Sequence, residues 1–419
     1  MPLTQSGVIK QEVKLPKGAW LAVALLFIIA ALNFLDRTTI TTMRSSIIDA
    51  MPMSDTQFGL LTSAFLWTYG LLSPFAGFLA DRFRRSHVIL VSLFVWSAVT
   101  WLTAYSTTFE QLLVSRILMG ISEACYIPAA LALIADYHQG STRSFATGIH
   151  WIGIMVGSSV GFLGGWIAEK HDWHIVFIIF GIIGVVYSLV AAFFLRDAPQ
   201  ERIIVVSKKT ENKINFFEGI KDLLSRGPFI LLVIYAGLFG VVGWLITGWL
   251  PTYYKEHFNL SQSIAGLYAT GYLYPASIFG LLFGGLVADR WSRTNPYGRI
   301  LVPAIGLCIA APSIFIACNM SILPLVVFWF IIYAFTVAFT QPNLMPILCM
   351  VADPRYRATG YGVLNLFGTV SAGFGLFTVG VLRDMKVELG KMLQFTALIL
   401  LIGAILLFLI KSQSKAIKN

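Results

Sequence analysis

The chain has 419 residues, 57% of them apolar and 12% charged, with a formal charge of +10. A soluble chain carries about a quarter charged residues, so these proportions exclude an ordinary water-soluble globule and place most of the chain in lipid. The basic excess is no nucleic-acid footprint, because the Lys and Arg cluster in alternate loops between apolar runs.

A polar leading segment carries Lys10, Lys14 and Lys17. The first apolar run, 18–47, is long enough to span and reads as a retained helix, not a removed signal segment. Five more runs follow at 57–80, 87–107, 110–136, 142–167 and 174–195. Residues 197–225 are the longest polar stretch, with a short amphipathic helix predicted around Phe216–Leu224. Six further runs occupy 228–254, 262–288, 300–318, 322–351, 357–382 and 391–410. The chain reads as an all-α membrane protein: twelve transmembrane helices in two six-helix, pseudo-symmetric bundles. Residues 1–196 form the first bundle, 197–225 a cytoplasmic linker, and 226–419 the second.

With the N-terminus in the cytoplasm, inner loops and tails hold 22 of the 30 Lys and Arg. Arg44, Lys170, Lys255, Arg383, Lys386 and Lys391 are the six on the outer side. That asymmetry predicts both termini to be cytoplasmic. The short loops and tails suggest a prokaryotic inner membrane. Cys125, Cys308, Cys318 and Cys349 sit inside apolar runs without pairing or metal-ligand spacing, and read as packing residues. No cofactor or metal is expected. Neither a nucleophilic triad nor a Gly-x-x-x-x-Gly-Lys-Ser/Thr phosphate loop is placed to work, which argues against an enzyme and against ATP drive.

An internal repeat divides the chain. Gly77-Phe-Leu-Ala-Asp81-Arg82-Phe-Arg-Arg85 ends the second run, and Gly285-Leu-Val-Ala-Asp289-Arg290-Trp-Ser-Arg293 ends the eighth. Such repeats build transporters with a substrate site between the halves. The repeat resembles the Gly-x-x-x-Asp-Arg-x-Gly-Arg-Arg signature of the major facilitator superfamily. Gly77, Asp81, Arg82 and Arg85 match it, while Arg84 and Ser292 stand where glycine is usual. The resemblance implies a gate made by Gly77, Asp81, Arg82, Arg85, Asp289 and Arg290. Topology-setting charge is the plainer alternative.

Within that superfamily, Asn33-Phe-Leu-Asp36-Arg37, Arg116…Glu123 and Trp249-Leu-Pro251-Thr-Tyr are similar to the anion:cation symporter family of sugar-acid and sialic-acid transporters. The spinster lysolipid transporters share much of this pattern, and Glu123-Ala-Cys-Tyr126-Ile-Pro128 leans toward them. Ser158 replaces the proline usual after the second glycine of the fifth helix in drug/proton antiporters, which lowers that reading. Gly153, Gly157, Gly161 and Gly165, four apart, predict a smooth stripe for close helix approach. Pro74, Pro128, Pro275, Pro342 and Pro346 are expected to kink or break their helices.

Four charged residues fall deep inside apolar runs: Asp36, Arg37, Arg116 and Glu123. A charge at bilayer depth costs at least about 2.5 kcal/mol, so such residues usually line a cavity. Arg116 and Glu123, two turns apart, are roughly 10 Å apart along their helix. Cross-helix pairs are therefore expected, Asp36 with Arg116 or Arg37 with Glu123. Asp36 and Glu123 are assigned to proton uptake. Arg37 and Arg116 are assigned to an anionic substrate group, since a guanidinium donates two parallel hydrogen bonds to a carboxylate. A purely structural charge network is the alternative. Asn365, Gln341, Tyr272 and Trp249 are further candidate substrate contacts, and His150 reads as a packing residue before a proton relay.

The expected function is proton-coupled symport of a small organic anion, such as a sugar acid, by a monomer in the bilayer. A spinster-like lysophospholipid transporter is the alternative, with the uncharged C-terminal helices holding the chain.

Overall fold

The computed structural model describes residues 15–138, 142–199 and 216–416. Lys10, Lys14 and residues 200–215 of the expected linker lie outside the described residues. Among the described residues, twelve helices are long and apolar enough to cross a bilayer. Helices 1 to 6 are Ala19–Thr42, Asp55–Arg82, Arg85–Thr103, Phe109–Tyr137, Arg143–Lys170 and Trp173–Phe194. Helices 7 to 12 are Gly227–Phe258, Gln262–Ser292, Gly298–Cys318, Leu323–Val351, Arg357–Asp384 and Leu389–Ala416. Each expected run falls on one of them. The first run overshoots: helix 1 stops at Thr42, and Arg44–Ala50 forms a separate short helix that carries Arg44 toward Asp55.

The prolines explain most interruptions. A proline has no N–H for the carbonyl four residues back, and its ring crowds that carbonyl. Helix 4 breaks at Ala124–Cys125, four residues before Pro128. Helix 10 breaks at Ala338–Phe339, four before Pro342. Helix 8 widens into a π-helix over Leu267–Tyr272, just before Pro275. Helix 2 instead continues through Pro74. Helix 5 breaks without proline at Val160–Gly161, where the hydroxyl of Thr42 donates to the Gly161 carbonyl at 2.9 Å.

The glycine stripe of helix 5 meets helix 1, as its spacing predicts. A Cβ on Gly157 would stand 2.6 Å from Ala31 Cα, and one on Gly153 2.6 Å from the Phe27 carbonyl oxygen. Only hydrogen fits at that approach.

Packing follows a two-fold plan. In the first half helix 1 packs on helix 5, helix 3 on helix 6, and helix 2 on helix 4. The second half repeats this with 7 on 11, 9 on 12, and 8 on 10. The halves meet through helix 2 against helix 11 and helix 5 against helix 8. Large apolar side chains such as Val91, Phe94, Leu189, Phe193, Phe315 and Phe328 remain exposed on the outer helices, as a lipid-facing surface requires.

We call the face bearing both copies of the repeat the motif face, and the opposite one the clamp face. On the motif face the amphipathic helix Phe216–Leu224 packs on helices 7 and 11 with Leu223 buried. Arg226 pairs with Asp222 at 3.0 Å and lies 3.8 Å from Asp353. The side-chain and backbone N–H bonds from Arg355 hold the Asp353 carboxyl down at about 2. A depressed carboxylate stabilises the fold above its unfolded pKa, near 4, and loses that contribution as pH falls through the folded value. Asp353→Asn is therefore less stable than the parent at about pH 6, with the gap closing from about pH 4 to about pH 2 in thermal melts. A gap independent of pH contradicts this pairing.

Candidate functional site

Helix 1 presents Asn33, Arg37 and Thr41 at four-residue spacing, one face of an α-helix. That face meets helix 4. Arg37 Nε donates to Glu123 Oε2 at 2.7 Å, and Asn33 Nδ2 donates to the same oxygen at 3.0 Å. Both partners of the ion pair are buried, at 2% and 0% side-chain exposure. Of the two expected pairings, this one forms. Asp36 points elsewhere: its Oδ2 accepts from the Thr100 hydroxyl of helix 3 at 3.3 Å.

Arg116 is the exceptional group. Its side chain is 1% exposed, yet among the described residues no carboxylate lies within 4 Å of it. It reaches Met119 Sδ at 3.4 Å and lies over the Phe65 ring at 4.8 Å. The Arg37 guanidinium lies over Phe34, Phe65 and Tyr69 at 4.6, 5.1 and 4.4 Å. Phe65 is thus shared by both arginines. Contacts of this kind are worth about 0.5–2 kcal/mol each, well short of the several kcal/mol a buried charge costs.

Arg37 and Arg116 line one small cavity with Thr41, Thr62, Phe65, Trp244, Gly248 and Leu376. Its walls come from helices 1, 2 and 4 of one half and 7 and 11 of the other, so it sits where the halves meet. Seven residues along helix 2 separate Thr62 from Asp55, which puts the cavity about 10 Å beneath the clamp face.

The other expected contacts are placed differently. Trp249 is buried against Phe58, with Arg44 and Arg383 over its rings at 5.7 and 5.4 Å, so it supports the clamp; Trp244 lines the cavity instead. Asn365 Nδ2 donates to Ser73 Oγ at 3.0 Å, joining the halves across helices 2 and 11. Gln341 is exposed at the break of helix 10. Tyr272 is 45% exposed and stacks on Tyr268. His150 is buried with Nε2 3.0 Å from the Tyr126 hydroxyl, which also donates to the Leu26 carbonyl. Sequence alone does not single out Asn33, Phe65, Tyr69, Thr62 or Thr100 as site residues. Only Asn33 carries a signal there, its position one turn before Arg37.

On the motif face the repeated residues stay within their own halves. Arg85 pairs with Asp136 and donates to the Ala132 carbonyl at 3.2 Å. Asp289 pairs with Arg299 at 2.6 Å. Arg82 and Arg290 are exposed, and a Cβ on Gly77 would meet nothing within 4 Å. The side chain of Asp81 lies outside the described residues. Among the described residues, no side-chain hydrogen bond or ion pair ties the motif to the opposite half.

The clamp face is the reverse. Arg383 of helix 11 binds Asp55 of helix 2 at 2.9 Å and Glu256 of helix 7 through two nitrogens at 3.0 and 2.8 Å. Arg44 pairs with Asp55 and lies 3.7 Å from Glu256. Two carboxylates also cap helix N-termini across the halves. Asp384 accepts the N–H groups of Asp55 and Thr56 at 3.0 and 2.9 Å, and Glu169 accepts the N–H and hydroxyl of Ser263 at 2.6 and 2.5 Å. Helix 11 caps helix 2 as helix 5 caps helix 8, the same device in both repeats. Among the described residues, no side-chain hydrogen bond or ion pair joins the halves nearer the motif face than Ser73–Asn365 along helix 2.

Twelve spans in two related halves, with buried charges where the halves meet, define a multi-pass membrane transporter. Residues 26–376 match the profile of the Major Facilitator Superfamily, and the chain belongs to that superfamily. It is 26% identical over 400 residues to protein spinster homolog 1 of Xenopus tropicalis, covering 89% of this chain and 74% of that one. It is equally 26% identical, over 388 residues, to a probable sulfoacetate transporter of Cupriavidus necator, covering 88% and 86%. The crystal structure of a bacterial homolog of the human lysosomal transporter spinster, in an inward-facing and unoccupied conformation, superposes with a TM-score of 0.80 at 23% identity, covering 95% and 98%. That likeness defines the fold.

Proposed function

We propose that this transporter carries a small organic anion together with protons, and that its motif face, both termini included, lies in the cytoplasm. One observation carries the reading: Arg116 is a fully buried guanidinium that, among the described residues, has no carboxylate within ion-pair distance, and it lines a cavity between the halves. A planar fork of donors suits a carboxylate or sulfonate. Sulfoacetate, named for the relative, has both groups. Asp36 and Glu123 are the proton carriers. Glu123 holds Arg37 when ionised and releases it when protonated, which couples proton uptake to the cation that faces the substrate.

In this reading the structure is inward-facing, with the clamp closed and, among the described residues, no hydrogen bond or ion pair joining the halves at the motif face. The halves, 1–196 and 226–419, rock about the Arg37–Arg116 cavity, and the linker 197–225 joins them. Coupling requires proton and substrate to bias the same two states. Asn365 latches the halves through Ser73, and the repeated motif, with Asp81 and Asp289, serves the state in which the motif face closes.

Reconstituted protein with an imposed pH gradient tests this. Asp36→Asn and Glu123→Gln lose gradient-driven accumulation of sugar acids and sulfonates while keeping counterflow. Parent-like accumulation in both variants removes the proposal.

A second reading, amphiphile transport, has its own observation. An apolar groove of about 770 Å³ runs between helices 7, 11 and 12, lined by Phe367, Phe374 and Phe395 with Lys391 among its residues. Its openness to lipid suits an acyl chain. Stabilisation of the protein by lysophospholipids but by no small carboxylate or sulfonate selects this reading over the first.

A further inference from the structure

Next to the arginines, the C-terminal half presents hydroxyls. Trp244 and Gly248 of helix 7 line the small cavity with Arg37 and Arg116. Thr247 lies between them in the chain, and its hydroxyl is 3.0 Å from that of Tyr274 on helix 8. Ser158 of helix 5 interacts with the same phenol, so the pair sits where helices 5, 7 and 8 meet, on the seam between the halves. Thr247 and Tyr274 stand eleven and twelve residues from the clamp ends of their helices, about 17 Å, which is close to the bilayer midplane. Both are half-buried. On the same face of helix 7, one turn nearer the motif face, a Cβ on Gly243 would meet nothing within 4 Å. The pair is therefore accessible, and the face that carries it opens beyond it.

The hydrogens of this patch are already used. Thr247 donates to the Gly243 carbonyl at 2.9 Å. A hydroxyl has one hydrogen, so at the Thr247–Tyr274 contact the phenol is the donor, and its oxygen is left to accept. Ser158 gives its hydrogen to the Ile154 carbonyl at 3.0 Å. The patch thus offers acceptors and no donor. It suits a group that brings its own hydrogen, and it disfavours a second carboxylate or sulfonate, which brings only acceptors. An ammonium would need a counter-charge, and helices 7 to 12 carry Asp and Glu only at their ends, at Glu256, Asp289 and Asp384. A neutral hydroxyl satisfies the patch without one.

We propose that Thr247 and Tyr274 are specificity-determining residues, which accept a hydroxyl of the substrate while Arg116 takes its carboxylate. The substrate is then a hydroxylated monocarboxylate, with one anionic end and one neutral end that donates. This rests on the reading of Arg116 as the anion ligand and narrows it, since sulfoacetate is anionic at both ends and has no hydroxyl to give. The roles follow the halves: charge comes from helix 4, and hydroxyls come from helices 7 and 8. In this state the arginine cavity has about 10 Å³, room for one water, so the carboxylate reaches Arg116 only as the halves move. A substrate held at both ends links the two halves across the site about which they rock.

The test is saturable thermal stabilisation of the purified full-length protein in detergent, at fixed pH and ionic strength. The probes are gluconate and galactonate, hexanoate as their six-carbon analogue without hydroxyls, sulfoacetate, and glucitol as an uncharged polyol. The better of the two aldonates is expected to bind about tenfold more tightly than hexanoate or sulfoacetate. Tyr274→Phe and Thr247→Val each reduce that preference by about three- to tenfold and leave hexanoate binding unchanged. Thr247→Ser keeps the hydroxyl and keeps the preference. A merely structural pair predicts equal losses for every probe, and that result overturns the proposal. Should Tyr274→Phe fail to fold, Thr247→Val against Thr247→Ser decides on the same readout. Hexanoate or sulfoacetate binding as tightly as the aldonates leaves the anion reading standing and overturns this one. Glucitol binding that needs Tyr274, with no anion bound, supports the hydroxyl site and removes the anion reading. Binding of none of the probes removes both.

Discussion

Arg37→Met and Glu123→Leu, made singly, each destabilise the protein by about 3–5 kcal/mol, and the double variant recovers most of that loss. The pair is buried on both sides and closed at 2.7 Å. Removing one partner leaves an uncompensated charge in an apolar interior. Removing both leaves two apolar side chains of similar volume, which cost little. Recovery is incomplete because Asn33 Nδ2 also donates to Glu123 and loses its acceptor. The check is a double-mutant cycle by thermal unfolding in one detergent. Single effects that simply add would show that the pair is not coupled. Transport separates the two accounts of this pair. A structural ion pair predicts that the double variant regains activity with stability. The proton-coupling role predicts a stable protein that no longer accumulates substrate against a gradient.

The second large effect concerns the clamp. Asp384→Asn with Glu169→Gln should open the clamp face without disturbing either half. Each carboxylate caps an N-terminus in the opposite half, and neither contact survives a separation of the halves. Asn and Gln keep one acceptor oxygen but not the charge, and removing a charge from a helix N-terminus costs about 0.3–1 kcal/mol at each of the two sites. A shift of about 1–2 kcal/mol changes a two-state ratio by a factor of about 5–30. Spin labels at Asp49 and Lys386, both exposed and on opposite halves, report it as a new long-distance population. The native cysteines are replaced first. A distance distribution unchanged from the parent would mean that the arginine network alone holds this face. Arg383, which binds Asp55 and Glu256 at once, would then be the residue to neutralise next.

The superfamily likeness defines the fold but does not select a substrate class. A spinster homolog and a probable sulfoacetate transporter are each 26% identical to this chain, so overall identity favours neither. What distinguishes such carriers lies in a few side chains around one cavity, which is why substrate class rests on Arg116 and its surroundings and not on resemblance.

Several parts of the architecture were legible along the chain. Pro128 and Pro342 marked helix breaks four residues upstream, because the lost N–H and the ring both act on the carbonyl one turn back. The stripe from Gly153 to Gly165 marked the approach of another helix, because only glycine lets backbones come that close. The four buried charges stood out because apolar runs made them costly. Their partners did not. Asp36 with Arg116 and Arg37 with Glu123 were equally good on spacing, and only the rotation of helix 1 against helices 3 and 4 brought Glu123 to Arg37 and Thr100 to Asp36. Trp249 carried a site-like motif and proved to be a support for the clamp, five residues beyond the Trp244 that lines the cavity.

By itself, the sequence determined the twelve spans, the two-fold repeat, the helix breaks before Pro128 and Pro342 and the presence of charge inside the membrane. These depend on transfer of side chains to lipid and on hydrogen bonds within one turn, so neighbours in the chain decide them. The tertiary structure decided the clamp, the pairing of charges and the cavity. Asp55 and Arg383 lie 328 residues apart and meet at 2.9 Å only because helices 2 and 11 pack together. Loop residues that read as topology-setting charge thus became the closure of one face, since an ion pair depends on distance in space and not on separation along the chain.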